Sequence, residues 1–245
     1  MKTQFALSIM LSLLTTNLAA RETPKATETN VVYGKYERSK LDFWKAKSKK
    51  PTPVLVFFHG GGFKAGDKDQ IKYFIPVKNY LKKDISCISV NYPFLQHTNN
   101  SFPAIMKECE KVIKLISKNA KKWNIDKKRI ALSGCSAGAL ISEWVGTSTK
   151  GISALAIFWQ PKGTEYLILK KIKSSCPPMI IFQESPATDA VHHPKFGKML
   201  KKACDKKKVE CLLYSSGKND IPKPPGNKHH KEVVLEFLMK KWKMK

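Results

Sequence analysis

The sequence predicts an α/β fold: a mostly parallel central sheet with helices packed on both faces. Three observations point there. Six short apolar runs rich in β-branched residues read as strands buried on both faces. Between them lie segments whose apolar residues recur at three- and four-residue steps, the helical period. Two of the runs lead into glycine-bearing turns, where bare backbone can take a sharp corner. The chain has 245 residues, 42% hydrophobic and 26% charged. That much core-forming material excludes a disordered chain, and its distribution excludes a polytopic membrane protein.

The elements follow in order. Met1-Lys2, the apolar stretch from Phe5 to Leu14 and the small residues ending at Ala19-Ala20 read as a basic, apolar, small-residue secretory signal over residues 1–20. The apolar stretch is well short of the ~20 residues that span a bilayer. A secreted or periplasmic location follows, with no stable membrane insertion after cleavage and one domain over 21–245. Residues 21–30 read as a loose polar lead-in. Strands are expected at 54–58, 85–90, 130–133, 152–159, 179–182 and 209–214. Helices are expected at 71–83, 105–116, 137–145, 194–207 and 232–242. In such sheets ligands bind beyond the carboxyl ends of the strands, so the loops there are where chemistry is sought.

Six cysteines, Cys87, Cys109, Cys135, Cys176, Cys204 and Cys211, permit disulfides in an exported chain. Cys204 and Cys211 are the expected local pair, and Cys87 and Cys135 read as buried thiols. No CxxC pair or other spacing suggests a metal, and no cofactor is expected. The formal net charge is +26, and only Arg21, Arg38 and Arg129 are arginines. Lysine is a hydrated point charge without the fork that reads bases and phosphates, so nucleic acid is not an expected partner. The excess reads as a solvated surface or as attraction towards acidic glycans.

Two motifs carry the chemistry. Gly134-Cys135-Ser136-Ala137-Gly138 follows one expected strand and opens a helix, the context of a strained strand–turn–helix corner that projects a serine. Cys135 stands at the wrong position of that corner to be the nucleophile and reads as packing. His59-Gly60-Gly61-Gly62-Phe63 follows another strand. The N–H groups of Gly61, Gly62 and Ala137 are the candidate oxyanion donors, and His59 reads as a structural tie for its loop.

These motifs resemble the HGGG/GxSxG group of α/β-hydrolase esterases and lipases, which includes acetyl, acetylxylan and feruloyl esterases. The resemblance runs from about Tyr33 to the C-terminus. It takes in Leu41-Asp42, His59 to Asp67, Ser89-Val90-Asn91-Tyr92, Ser101-Phe102-Pro103-Ala104 and Trp123-Asn124-Ile125-Asp126. It implies carboxylic-ester hydrolysis by Ser136 with an acid and a histidine later in the chain. Asp189, in the 187–191 segment that resembles the group's acid loop, is preferred to Glu184, with Asp205 and Asp220 weaker. The base is expected between the last strand and the last helix, as His229 or His230, which sequence does not separate. His192 and His193 lie too close to the acid loop to be preferred. The histidine pair departs from the group, whose base often precedes Gly and an aromatic residue, as do Ala139 and Pro93 from its usual Gly and Arg.

Residues 160–178 are too few for a large lid, so an open site for short acyl esters or acyl groups on plant or algal polysaccharide is expected. Phe63, Phe94, Leu95 and Trp159 are candidate substrate-binding residues. The competing readings are a serine peptidase of the same fold and a catalytically inactive basic binding module. The latter would be favoured if neither tail histidine reached Ser136.

Overall fold

The computed structural model describes residues 23–217 and 219–244. The expected secretory signal, residues 1–20, lies outside the described residues. Eight strands form one sheet: β1 (Glu28–Val32), β2 (Lys40–Trp44), β3 (Thr52–Phe58), β4 (Ser86–Val90), β5 (Ile125–Cys135), β6 (Ile152–Phe158), β7 (Met179–Phe182) and β8 (Cys211–Tyr214). Their spatial order is β1-β2-β4-β3-β5-β6-β7-β8. β2 runs antiparallel to both β1 and β4, and all pairings from β4 through β8 are parallel. All residues of β3, β4 and β7 are buried, which is why these segments read as unbroken apolar runs rather than alternating ones.

Helices cover both faces: α1 (Ile71–Phe74), α2 (Val77–Lys82), α3 (Phe102–Trp123), α4 (Ala137–Ser148), α5 (Thr164–Leu167), α6 (Pro194–Lys206) and α7 (His230–Lys241). One core layer is built from Val54, Val56, Leu132, Ile157 and the inner faces of α3 and α4. The other takes Leu55, Phe57, Ala131, Ala156 and the inner faces of α1, α2 and α7. Successive residues of one strand thus feed opposite layers, as the pleat dictates. α3 is the most legible helix. Ser101 caps it through Ala104 N, Pro103 sits in its first turn, and Asn124 closes it in the left-handed conformation.

Four local expectations need correction. The lead-in is not loose throughout: β1 starts at Glu28, whose carboxylate accepts from Trp123 Nε1 at 3.0 Å and pairs with Lys122. The single helix expected at 71–83 is two, because Pro76 has no N–H to continue the first. The β5 strand begins at Ile125, five residues earlier than expected, because its polar start still pairs with Thr52. Cys204 and Cys211 are both buried free thiols, with Cys204 Sγ directed to Met179 Sδ at 3.6 Å. No helix among the described residues is long and apolar enough to cross a membrane.

A deletion from the shared β-sheet core gives a direct check. Leu132→Ala, in the fully buried centre of β5, is expected to destabilise the fold by about 2–5 kcal/mol through lost burial and the cavity left behind. Urea unfolding midpoints measure it.

Candidate active site

The corner that carries Ser136 is formed by the passage from β5 into α4. Ser136 has φ 55° and ψ −117°, a region disfavoured for a residue with a Cβ, and its N–H is anchored to Phe158 O at 3.0 Å. The two glycines of the motif have a steric reason. A Cβ on Gly134 would lie 2.1 Å from Gly138 O, and one on Gly138 would lie 2.0 Å from Phe58 O. The first turn of α4 therefore rests directly on the ends of β5 and β3. Ala137 opens α4, so its N–H has no intrahelical acceptor.

The glycine loop after β3 is tied down from several sides. His59 is fully buried, its ring stacks on Tyr92 with centroids 4.2 Å apart, and its Nδ1 lies 2.6 Å from Gly60 O. Burial lowers its pKa to about 4, so the ring is neutral near neutral pH. Tyr92 donates its hydroxyl to His59 O at 2.8 Å, and Arg38 Nη2 donates to Gly66 O at 2.9 Å. Gly61, at φ 117°, turns the loop; a Cβ there would lie 2.0 Å from Ala65 O. Gly62, at φ 60°, has open space on its Cβ side.

Asp189 and His192 come from one loop, between β7 and α6. Asp189 Oδ1 accepts the backbone N–H groups of Val191 and His192, each at 2.8 Å. This short turn brings the His192 ring back over the carboxylate, with Nδ1 3.2 Å from Asp189 Oδ2. His192 Nε2 is 2.9 Å from Ser136 Oγ. Asp189 thus holds one ring nitrogen while the other faces the serine. The Asp189 carboxyl is lowered to about 2, first by the His192 backbone N–H, which outweighs desolvation, and then by the Val191 N–H and the imidazole.

The expectation that His229 or His230 contacts Ser136 is corrected. His229 caps α7, its Nδ1 accepting from Lys231 N at 3.3 Å. His230 packs against Phe158 and Phe182 with centroids 5.5 and 5.8 Å away. Burial, followed by the charges of His229 and Lys231, lowers its pKa to about 4. The condition that favoured an inactive module is met by the tail pair, yet His192 makes the contact instead. His193 is occupied as the cap of α6, accepting from Lys195 N at 3.0 Å. The rival carboxylates are also engaged elsewhere: Glu184 accepts from Ser216 N, Asp205 pairs with Lys201 and Asp220 with Lys198.

Ser136, Ala137 and Gly62 line a cavity of about 410 Å³ whose walls include Phe63, Leu140, Tyr166 and Val191. Of the four candidate substrate-binding residues, Phe63 lines this cavity. Phe94 does not: it is buried behind the loop, with the Arg38 guanidinium 3.9 Å from its ring centre. Leu95 packs at the edge of the core and donates its N–H to Phe63 O. Trp159 lines a neighbouring cavity of about 460 Å³ that also holds His229 and His230, and its ring centroid is 6.2 Å from that of His192. Residues 160–178 form no large lid, but α5 supplies Tyr166 and Leu167 as one wall. Among the described residues no group of three or more His, Cys, Asp or Glu side chains could hold a metal ion.

Strand order, the corner after β5 and the glycine loop after β3 define an α/β-hydrolase fold. Comparisons with known proteins agree with that class. Residues 41–162 match the family model BD-FAE. The chain is 30% identical over 118 residues to Esterase LipC of Mycobacterium tuberculosis, covering 47% of this chain and 28% of that protein. It is 25% identical over 118 residues to Carboxylesterase NlhH of the same species, covering 48% of this chain and 36% of that protein. The chain thus spans about a third of the length of the curated relatives it matches. A truncated form of a carbohydrate esterase from gut microbiota superposes with a TM-score of 0.72 at 16% identity, over 87% of this chain and 95% of that one. A propionate-bound Thermogutta terrifontis esterase, Est2, superposes with a TM-score of 0.70 at 19% identity, over 89% and 94% of the two chains.

Two consequences are testable. Gly138→Ala forces a methyl group onto the Phe58 carbonyl and is expected to destabilise the protein by roughly 3 kcal/mol; an unchanged thermal midpoint would contradict the packing described. Asp189 has a depressed native pKa, so its ionised form stabilises the fold above its ordinary value of 3.8. That contribution is lost as pH falls through about 2. The stability difference between the wild type and Asp189→Asn should therefore shrink as pH falls from about 5 towards 2, read as urea midpoints across the series.

Proposed function

We propose that this chain is a serine carboxylic-ester hydrolase that acts on short acyl esters, including acyl groups on plant or algal polysaccharide. The observation that carries the reading is the unbroken contact from Asp189 through His192 to Ser136. In this scheme Ser136 Oγ attacks the ester carbonyl while His192 Nε2 takes its proton. Asp189 holds the ring and stabilises the imidazolium. The N–H groups of Ala137 and Gly62, with Gly61 beside them, receive the negative charge of the tetrahedral intermediate, and α4 directs its N-terminal dipole to the same point. His192 then returns the proton to the leaving alcohol. Water hydrolyses the acyl-enzyme by the reverse path.

The mostly apolar cavity beside Ser136 suits a short acyl group. The names of the solved neighbours, a carbohydrate esterase and a propionate-bound esterase, support the same substrate range. Export directed by residues 1–20 would bring the enzyme to extracellular polymers, and the net charge of +26 would draw acidic glycans to it at low ionic strength.

Hydrolysis of p-nitrophenyl acetate and of acetylated xylan tests the proposal. Ser136→Ala and His192→Ala are each expected to lower kcat by at least ~10³-fold without unfolding the protein. His229→Ala should stay within about twofold of wild type, since it contacts neither Ser136 nor Asp189. Full activity in Ser136→Ala would refute the assignment.

A further inference from the structure

The proposed acid and base share one short loop, so their geometry depends on whatever holds that loop. Its backbone is gripped at His192 from two sides. The His192 N–H is held by Asp189, as described. The His192 carbonyl accepts Gln183 Nε2 at 2.6 Å. Gln183 is the first residue after β7 and is fully buried. Its Nε2 also donates to Gln160 O at 3.2 Å, and its Oε1 accepts Gln160 N at 2.7 Å. Both N–H donors of its amide and one acceptor site of its oxygen thus join the loop to the residue just beyond β6, with His193 O a further 3.5 Å neighbour of Nε2.

The connection continues to the nucleophile helix. Gln160 Nε2 donates to Glu143 Oε2 at 2.8 Å and to Thr164 Oγ1 at 2.7 Å. Glu143 lies on α4, two turns beyond Ser136, and is fully buried. Burial raises its carboxyl well above the usual carboxylate range. A continuous buried chain, Glu143–Gln160–Gln183–His192, therefore runs beneath the site from the helix that carries the serine to the backbone of the histidine. Buried amides of this kind have few alternative partners, so the geometry they fix is stiff.

We propose that Gln183 is a positioning residue of the site, setting the separation of His192 and Ser136 by clamping the His192 carbonyl. The inference rests on the hydrolase reading above, in which those two side chains exchange a proton. Gln183 itself touches no substrate. Its effect should appear in the chemical step and not in binding, because the cavity beside Ser136 does not include it.

The test compares wild type, Gln183→Met, Gln183→Asn, Asp189→Asn and the Gln183→Met/Asp189→Asn double variant on p-nitrophenyl acetate, with His192→Ala as reference. Met keeps the length and removes the donors. Gln183→Met is expected to lower kcat by ~10–100-fold with KM within about twofold, a loss of the size that a misplaced catalytic group produces. Its loss combined with Asp189→Asn should be clearly smaller than the product of the two single losses, because both act on one histidine. If Gln183→Met fails to fold, as read by circular dichroism, Gln183→Asn carries the same test, its amide lying one methylene short of the carbonyl. Unchanged kcat, a change confined to KM, strictly multiplicative losses, or unfolding of both Gln183 variants would overturn the positioning role. Absence of hydrolysis by the wild type would instead overturn the hydrolase reading itself, and full activity in His192→Ala would overturn the role given there to His192.

Discussion

The close approach of α4 to the ends of β3 and β5 is the constraint on which the site depends. It requires two positions without a Cβ, Gly134 and Gly138. It also pushes Ser136 into a positive-φ conformation, which is tolerated because its N–H is bonded to the end of β6. Strain of this kind persists only where the surroundings over-determine it. Here they do: the corner lies between β3, buried throughout, and the buried carboxyl end of β6, and the first turn of the helix rests on the strand ends.

From that corner outward, the site is a set of loops pinned by buried polar groups. The glycine loop is fastened by His59, Tyr92 and Arg38, none of which faces the Ser136 cavity. The neutral, stacked His59 shows how a histidine in a glycine-rich motif can serve as packing and hydrogen-bonding material. The Asp189–His192 loop is fastened by Gln183, which follows β7 and ties the loop to Gln160 just beyond β6, and, on the far side, by Asn219, which donates to Gln183 O and Ser185 O, each at 2.8 Å. Loops thus carry the proposed reactive groups, while the rigidity comes from polar groups beneath them.

The base differs most between sequence and structure. Placing it near the tail follows from the usual order of strands and loops in this fold, in which acid and base come from successive loops. This chain's 215–228 segment holds no histidine, and the pair that follows it is drawn into capping and packing around α7. The turn at Asp189 makes the shorter solution work. A carboxylate that accepts N–H groups two and three residues ahead folds the chain back on itself, so a histidine at that spacing can lie over the same carboxylate. An aspartate three residues before a histidine, just ahead of a proline-started helix, was the available signal. Spacing alone did not reveal it, because an extended chain would carry the two side chains apart.

Sequence by itself determined the layered α/β plan, the places of β3 to β8 along the chain, the serine corner and the glycine loop. These are encoded by local rules: runs of apolar residues, helical periodicity and glycines where no Cβ fits. Tertiary structure alone decided which histidine meets the serine, which aromatic residues border its cavity and which buried amides hold the loops. Those outcomes depend on distances between residues far apart in the chain, such as Ser136 and His192 or Gln160 and Gln183, and such distances exist only once the sheet has brought its strand ends together.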